Sequence, residues 1–292
     1  MSSLTTNYCK NGSVELYLEC FGDSRNVPVV LIPGAMAPRT FWNDWFCLQL
    51  AEAGFYVIRF DNRDMGKSTH FESSSPESGR IVPYSIFDMA EDALAVLLSA
   101  SDKPAHIIGH SLGGSIAQIF STKYPHKVQT LSLISSPLLS KGSIKYKQVD
   151  PNIAKEIWDF FGQNPLEPNF DRGLSNYLQT WKFLNGDWEL DIGMATEYTR
   201  AIYETEVIEP AWNHMNVQES IPDIYREFSK LEMKKLFLQG ERDFLPTHPD
   251  NQVLCAEHSR NATSEMLKGA GHMFFNKALW EIIASKIIKH IT

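Results

Sequence analysis

A chain of 292 residues is long for one ordinary domain and suits a single large α/β core carrying an insertion. At 43% hydrophobic it can bury a sizeable core, and its net charge of −8 (27 basic against 35 acidic residues) offers no basic face for nucleic acid. No apolar run reaches the length of a membrane span, and the opening stretch MSSLTTNYCK lacks the apolar centre of a signal peptide. Cys9, Cys20, Cys47 and Cys255 show no C-x-x-C spacing, which argues against a metal site or a disulfide scaffold. A reducing cytoplasm is the expected compartment. The N-x-[ST] patterns at Asn11 and Asn261 are read as chance.

In chain order, residues 14–20 (VELYLEC) alternate and predict a strand, closed by the turn chemistry of Phe21-Gly22-Asp23. Residues 29–32 predict a fully apolar strand that runs into Pro33-Gly34-Ala35-Met36, where a glycine lets backbone approach a ligand closely. Residues 39–53, with Phe41, Trp42, Trp45, Phe46, Leu48 and Leu50, predict a helix ended by Gly54. Residues 55–60 predict the next strand, leading into Asp61-Asn-Arg-Asp-Met-Gly-Lys-Ser68. Residues 69–83 predict a surface loop, and residues 85–98 a helix with Met89, Ala93 and Leu97 at helical spacing.

The stretch from Ala105 to Gly114 reads AHIIGHSLGG. It predicts a short buried strand at 106–108 and a helix at 112–123, with Gly109-x-Ser111-x-Gly113 between them. A strand that turns straight into a helix needs a tight corner, and the glycines remove side chains that would collide there. The corner lifts the Ser111 hydroxyl to a helix N-terminus, where unpaired N–H groups and the helix dipole favour developing negative charge.

Residues 128–134 predict another strand. The rhythm breaks after Ser136. From 138 to about 225 there are helical patterns without a buried strand, loaded with aromatics such as Trp158, Tyr177, Trp181, Trp188, Tyr198 and Trp212. Most of these are expected to build the insertion's own small core. Residues 235–239 (KLFLQ) predict a strand, followed by Gly240-Glu241-Arg-Asp243-Phe-Leu-Pro246. Residues 264–267 predict a last strand, followed by Gly269-Ala-Gly-His272, and residues 278–290 a closing helix. Strands alternating with helices imply a mainly parallel sheet covered on both faces.

A serine hydroxyl is a weak nucleophile and needs a base, which in turn needs an orienting acid. Of nine histidines, His110 is too close to Ser111 along the turn, His106 lies in a strand and His290 in the last helix. His272 stands on a loop between small residues, with His248 and His214 as runners-up. Asp243 and Glu241 both follow the 235–239 strand, Glu241 being expected to be solvated or paired with Arg242.

This series of motifs resembles the α/β-hydrolase family, and the octet from Asp61 to Ser68 looks like bacterial members similar to aclacinomycin methylesterase. The resemblance implies an α/β fold with a mainly parallel, eight-stranded-type sheet, helices on both faces and a helical cap insertion. Residues 1–137 and 226–292 would be the core and 138–225 the cap, or lid. It places Ser111 as nucleophile, His272 as base and Asp243, in the pattern Gly-x-x-Asp, as acid. Ser135-Ser136-Pro137 excludes the variant that carries the acid one strand earlier. Ala35 and Leu112 N–H groups would form the oxyanion hole. Pro33 replaces the family's usual His, but the donated group is backbone, so Ala35 can still serve. Asp61 and Asp64 are expected to be structural.

The implied activity is hydrolysis of a carboxylic ester of an apolar small molecule through an acyl-enzyme, with methyl esters and lactones as candidate substrates. Met36 and Trp181 are expected in the substrate wall. No metal or organic cofactor is required, no nucleic acid or membrane span is expected, and no oligomeric state is read. Alternatives are a cofactor-free perhydrolase, a C–C bond hydrolase, and a small-molecule receptor on the same fold. Dehalogenase and epoxide-hydrolase chemistry are disfavoured, because relatives of those kinds use an Asp where this chain has Ser111.

Overall fold

The structure is a computed structural model and describes residues 4–75, 77–140, 142–163, 169–204, 212–219, 222–245 and 247–292. Among them one sheet contains β1 (Thr5–Asn11), β2 (Val14–Phe21), β3 (Val27–Ile32), β4 (Phe55–Phe60), β5 (Ala105–His110), β6 (Val128–Ile134), β7 (Lys234–Gly240) and β8 (Ala262–Leu267). The strand order is β1-β2-β4-β3-β5-β6-β7-β8. β2 is antiparallel to both its neighbours, and every other pair is parallel. The central parallel strands are buried on both faces and therefore read as nearly continuous apolar runs, as β4 (FYVIRF) and β5 (AHIIGH) do.

The sequence gives no sign of β1. Its residues, TTNYCKN, are mostly exposed and polar, and the strand exists because it pairs with β2 across a two-residue turn at Gly12-Ser13. The expected single helix at 39–53 is instead a 3₁₀ turn at Arg39–Phe41 and then α1 (Asp44–Glu52). Asn43 caps α1 by accepting the Phe46 N–H, so the helix starts there. α2 (Ile86–Ala100) opens with a reciprocal Ser85–Asp88 capping box, and α3 (Leu112–Lys123) has the expected bounds. The last elements are α9 (Asn251–Glu257), which was not expected, and α10 (Lys277–Ile291).

Two apolar clusters flank the sheet. One joins α2, α3 and α9 to one face; the other joins α1 and α10 to the opposite face. Between β6 and β7 the chain forms α4 (Pro151–Gln163), α5 (Phe170–Leu184), α6 (Ile192–Ile202), α7 (Trp212–Glu219) and α8 (Tyr225–Phe228). α5 and α6 enter the second cluster through Tyr177, Trp181, Ala195 and Tyr198. Among the described residues no helix is long and apolar enough to cross a membrane. None of their His, Cys, Asp and Glu side chains gather in a group of three or more that could hold a metal ion.

After β3 the chain passes to β4 and then returns to place β5 on the other side of β3. The loops leaving β3 and β5 therefore diverge at a switch point of the sheet, the place where open α/β sheets leave a crevice.

Candidate active site

Ser111 stands between β5 and α3 with φ +52° and ψ −122°, a backbone state that side-chain-bearing residues seldom adopt. The surroundings hold it there. Its N–H donates to the Ile134 carbonyl at 2.9 Å. A Cβ on Gly113 would lie 2.2 Å from the Ile32 carbonyl oxygen, so only glycine lets α3 start against the end of β3.

Asp243 follows β7 and His272 follows β8, so three strand ends contribute one side chain each. The Ser111 Oγ lies 3.1 Å from His272 Nε2, and His272 Nδ1 lies 3.0 and 3.1 Å from the two Asp243 carboxylate oxygens. A carboxylate only accepts, so Nδ1 carries the proton and Nε2 is left to accept from the serine hydroxyl. Asp243 also accepts the Gln239 side-chain amide at 2.9 Å and the Leu245 N–H at 3.1 Å. Burial alone would raise its pKa, but the charge and hydrogen bond of His272 outweigh that and hold the carboxyl below its ordinary value. Asp243 is 1% exposed and His272 6%, while Ser111 is half-buried, so the acid is sealed and the hydroxyl is reachable. Pro246 lies outside the described residues.

The loop after β3 lies against the Ser111 corner: a Cβ on Gly34 would lie 3.1 Å from the Ser111 Cβ. Leu112 is the first residue of α3, where an N–H has no carbonyl in its own helix. Ala35 lies in the turn after β3, which the Ala37 N–H closes onto the Gly34 carbonyl. Among the described residues neither N–H donates to a protein acceptor. The next N–H along, that of Met36, is taken: it donates to His214 Nδ1 at 3.1 Å.

The other histidines are engaged elsewhere. His110 donates Nε2–H to the His272 carbonyl at 2.9 Å and stacks on Phe41, which steadies the loop bearing His272. Burial first, then the neighbouring His272, push its pKa down to about 3. His214 contacts the Arg63 carbonyl through Nε2 at 2.7 Å and His248 accepts the Asp250 N–H, so neither faces Ser111. Glu241 differs from expectation: it accepts the Gly269 N–H at 2.9 Å, while Arg242 pairs with Asp187.

The helical insertion reaches this site at two points that nothing in the sequence marks. Leu184 and Asn185, at the end of α5, take the N–H groups of Met273 and Gly271 on their carbonyls, and the Asn185 side chain accepts from Phe275. A Cβ on Gly271 would lie 2.1 Å from the Leu184 carbonyl oxygen, which is why glycine precedes His272. Trp181 is 8% exposed, packed against Tyr177, Tyr198 and Phe275, and donates its indole N–H to Thr199 at 2.8 Å. Met36 is half-buried beside the site.

The octet after β4 is a brace. Asp61 accepts from the Arg39 and Lys67 backbone N–H groups and pairs with the Arg39 guanidinium; Arg63 pairs with Asp92. Asp64 accepts from the Phe71 N–H, the Tyr84 hydroxyl and Asn213. None of these carboxylates turns toward Ser111.

A family model described as alpha/beta hydrolase fold matches residues 27–278. The chain is 34% identical to rhodomycin D methylesterase DauP of Streptomyces sp. (strain C5), over 98% of both chains. It is 27% identical to rhodomycin D methylesterase DnrP of Streptomyces peucetius, again over 98% of both. Among solved structures, an esterase from Exiguobacterium antarcticum superposes with a TM-score of 0.73 at 18% identity, covering 98% of this chain and 99% of that one.

Proposed function

The chain belongs to the alpha/beta hydrolase fold family, and from that premise we propose that it cleaves carboxylic esters of apolar small molecules through an acyl-enzyme on Ser111. The observation that carries this reading is the continuous hydrogen-bonded line from Asp243 through His272 to the Ser111 hydroxyl. His272 Nε2 takes the serine proton as Oγ attacks the ester carbonyl. The carbonyl oxygen gains negative charge and is received by the Ala35 and Leu112 N–H groups, which need no reorganisation because no acceptor among the described residues holds them. His272 then gives its proton to the departing alcohol. Water, deprotonated by the same nitrogen, attacks the acyl carbon and releases the acid. Asp243 keeps Nδ1–H in place and stabilises the imidazolium in both halves.

The helical insertion is the cap in this reading, and with Met36 it lines the apolar side of the crevice. A methyl ester of a bulky apolar acid is the first substrate class to test, because the two named relatives are methylesterases. With purified protein and p-nitrophenyl esters, Ser111→Ala is expected to lower kcat by about 10³-fold or more while the chain stays folded. A serine-directed phosphonate is expected on Ser111. Near-normal turnover of the alanine variant, or labelling of another residue, overturns the assignment. Wild-type protein that binds apolar esters without turnover points to the receptor instead.

A further inference from the structure

His214 is fully buried on α7, 178 positions from the loop it touches. Both ring nitrogens are used. Nε2 meets the Arg63 carbonyl at 2.7 Å and Nδ1 meets the Met36 N–H at 3.1 Å. A carbonyl only accepts and a backbone N–H only donates, so the ring is neutral with its proton on Nε2. The neighbouring Asn213 ties the same helix to the brace after β4: its amide donates to Asp64 at 2.9 Å and its oxygen accepts the Ser74 N–H at 2.9 Å. His214 thus links a doubly anchored helix to the loop after β3.

Met36 needs such an anchor. It has φ +57°, in the left-handed region, and a residue with a side chain stays there only when its surroundings hold it. Its N–H is one position from that of Ala35. A turned Met36 peptide would move the Ala35 N–H or offer a competing donor in the wrong direction.

We infer that His214 is a positioning residue for the oxyanion loop: by accepting the Met36 N–H it keeps the Ala35 N–H free and directed at the carbonyl oxygen above Ser111. This rests on the proposed ester hydrolysis. Burial, the main influence, holds the His214 pKa below the ordinary histidine value; the charges of Arg63 and His70 act in the same direction, and the Arg63 carbonyl and Asp64 oppose them. A neutral ring with its proton on Nε2 leaves Nδ1 as the acceptor.

Two substitutions separate the anchor from simple packing. His214→Asn keeps an oxygen near the Nδ1 position; His214→Gln keeps an amide N–H near the Nε2 position. With a p-nitrophenyl ester, His214→Gln is expected to lower kcat by about 10- to 100-fold with KM little changed, approaching the loss of an oxyanion donor. His214→Asn is expected to retain most of the turnover. Equal losses in both variants, or a rise in KM at unchanged kcat, overturn the inference. In the wild-type chain the Met36 amide is expected to exchange with solvent about 10²-fold more slowly than that of Ala35. Equal exchange overturns the inference whatever the variants do. Ser111→Ala serves as the control: if it retains activity, the hydrolase reading has failed and takes this inference with it. If it is inactive while His214→Gln is normal, only the inference has failed.

Discussion

At the scale of single residues, the two carboxylates after β7 have separate duties. Asp243 touches His272, whereas Glu241 holds a backbone N–H on the loop before it. Asp243→Asn removes the charge that stabilises the imidazolium and can favour the wrong tautomer, so kcat is expected to fall by about 10⁴-fold. Glu241→Gln still offers an oxygen to Gly269 and is expected to change kcat little. Steady-state kinetics on both variants checks this, and comparable losses would leave the acid unassigned. Spacing alone puts both carboxylates after the same strand. What separates them is the turn in which Asp243 N–H bonds back to Gly240 while Glu241 N–H pairs with Leu267.

At the level of elements, the seam between α5, α6 and the loop after β8 supports the segment that bears His272. Trp181 packs on Phe275, three positions beyond His272, and gives its N–H to Thr199. Trp181→Ala removes a buried indole and is expected to lower stability by about 3–5 kcal/mol in denaturant unfolding. If the insertion is the specificity wall, KM for long acyl esters is expected to rise more than KM for acetates in the folded variant. A chain-length preference unchanged in Trp181→Ala, and equally in alanine variants of Trp188 and Trp212, would make the insertion a self-contained subdomain. Trp158 on α4 is 62% exposed, so its removal is expected to leave stability nearly unchanged.

For the whole molecule, buried histidines set the response to acid. Burial pushes His106 down to about 4 and His110 to about 3, and it also lowers His214 and His290. The unfolded chain protonates these rings near 6.5, before the folded chain does. Their contribution is therefore complete above about pH 6.5 and is lost as pH falls from there towards 4 and 3, at up to about 1.4 kcal/mol per pH unit for each ring. Asp243, held below its ordinary 3.8, adds a further loss only under that value. Urea unfolding followed from pH 8 to pH 4.5 is expected to show the midpoint falling below pH 6.5. A flat midpoint would mean that the rings protonate in place.

The parallel core, the sharp corner at Ser111 and the strand ends that bear Asp243 and His272 are legible in the amino-acid sequence. Each rests on local physics: apolar runs that must be buried on both faces, glycines where a Cβ would strike backbone, and turn residues directly after strands. β1 was invisible because a polar edge strand is made by its partner, and the break before α1 because one Asn cap outweighs a continuous apolar pattern. Spacing left several histidines and two carboxylates open and the family resemblance named His272 and Asp243; it took the tertiary structure to bring those side chains within hydrogen-bond distance and to show that Asn185 and His214 brace the two loops. Those contacts join residues tens to hundreds of positions apart, such as Met36 and His214. Hydrogen bonds of that span depend on how the helices pack on the sheet, and no local spacing or periodicity encodes them.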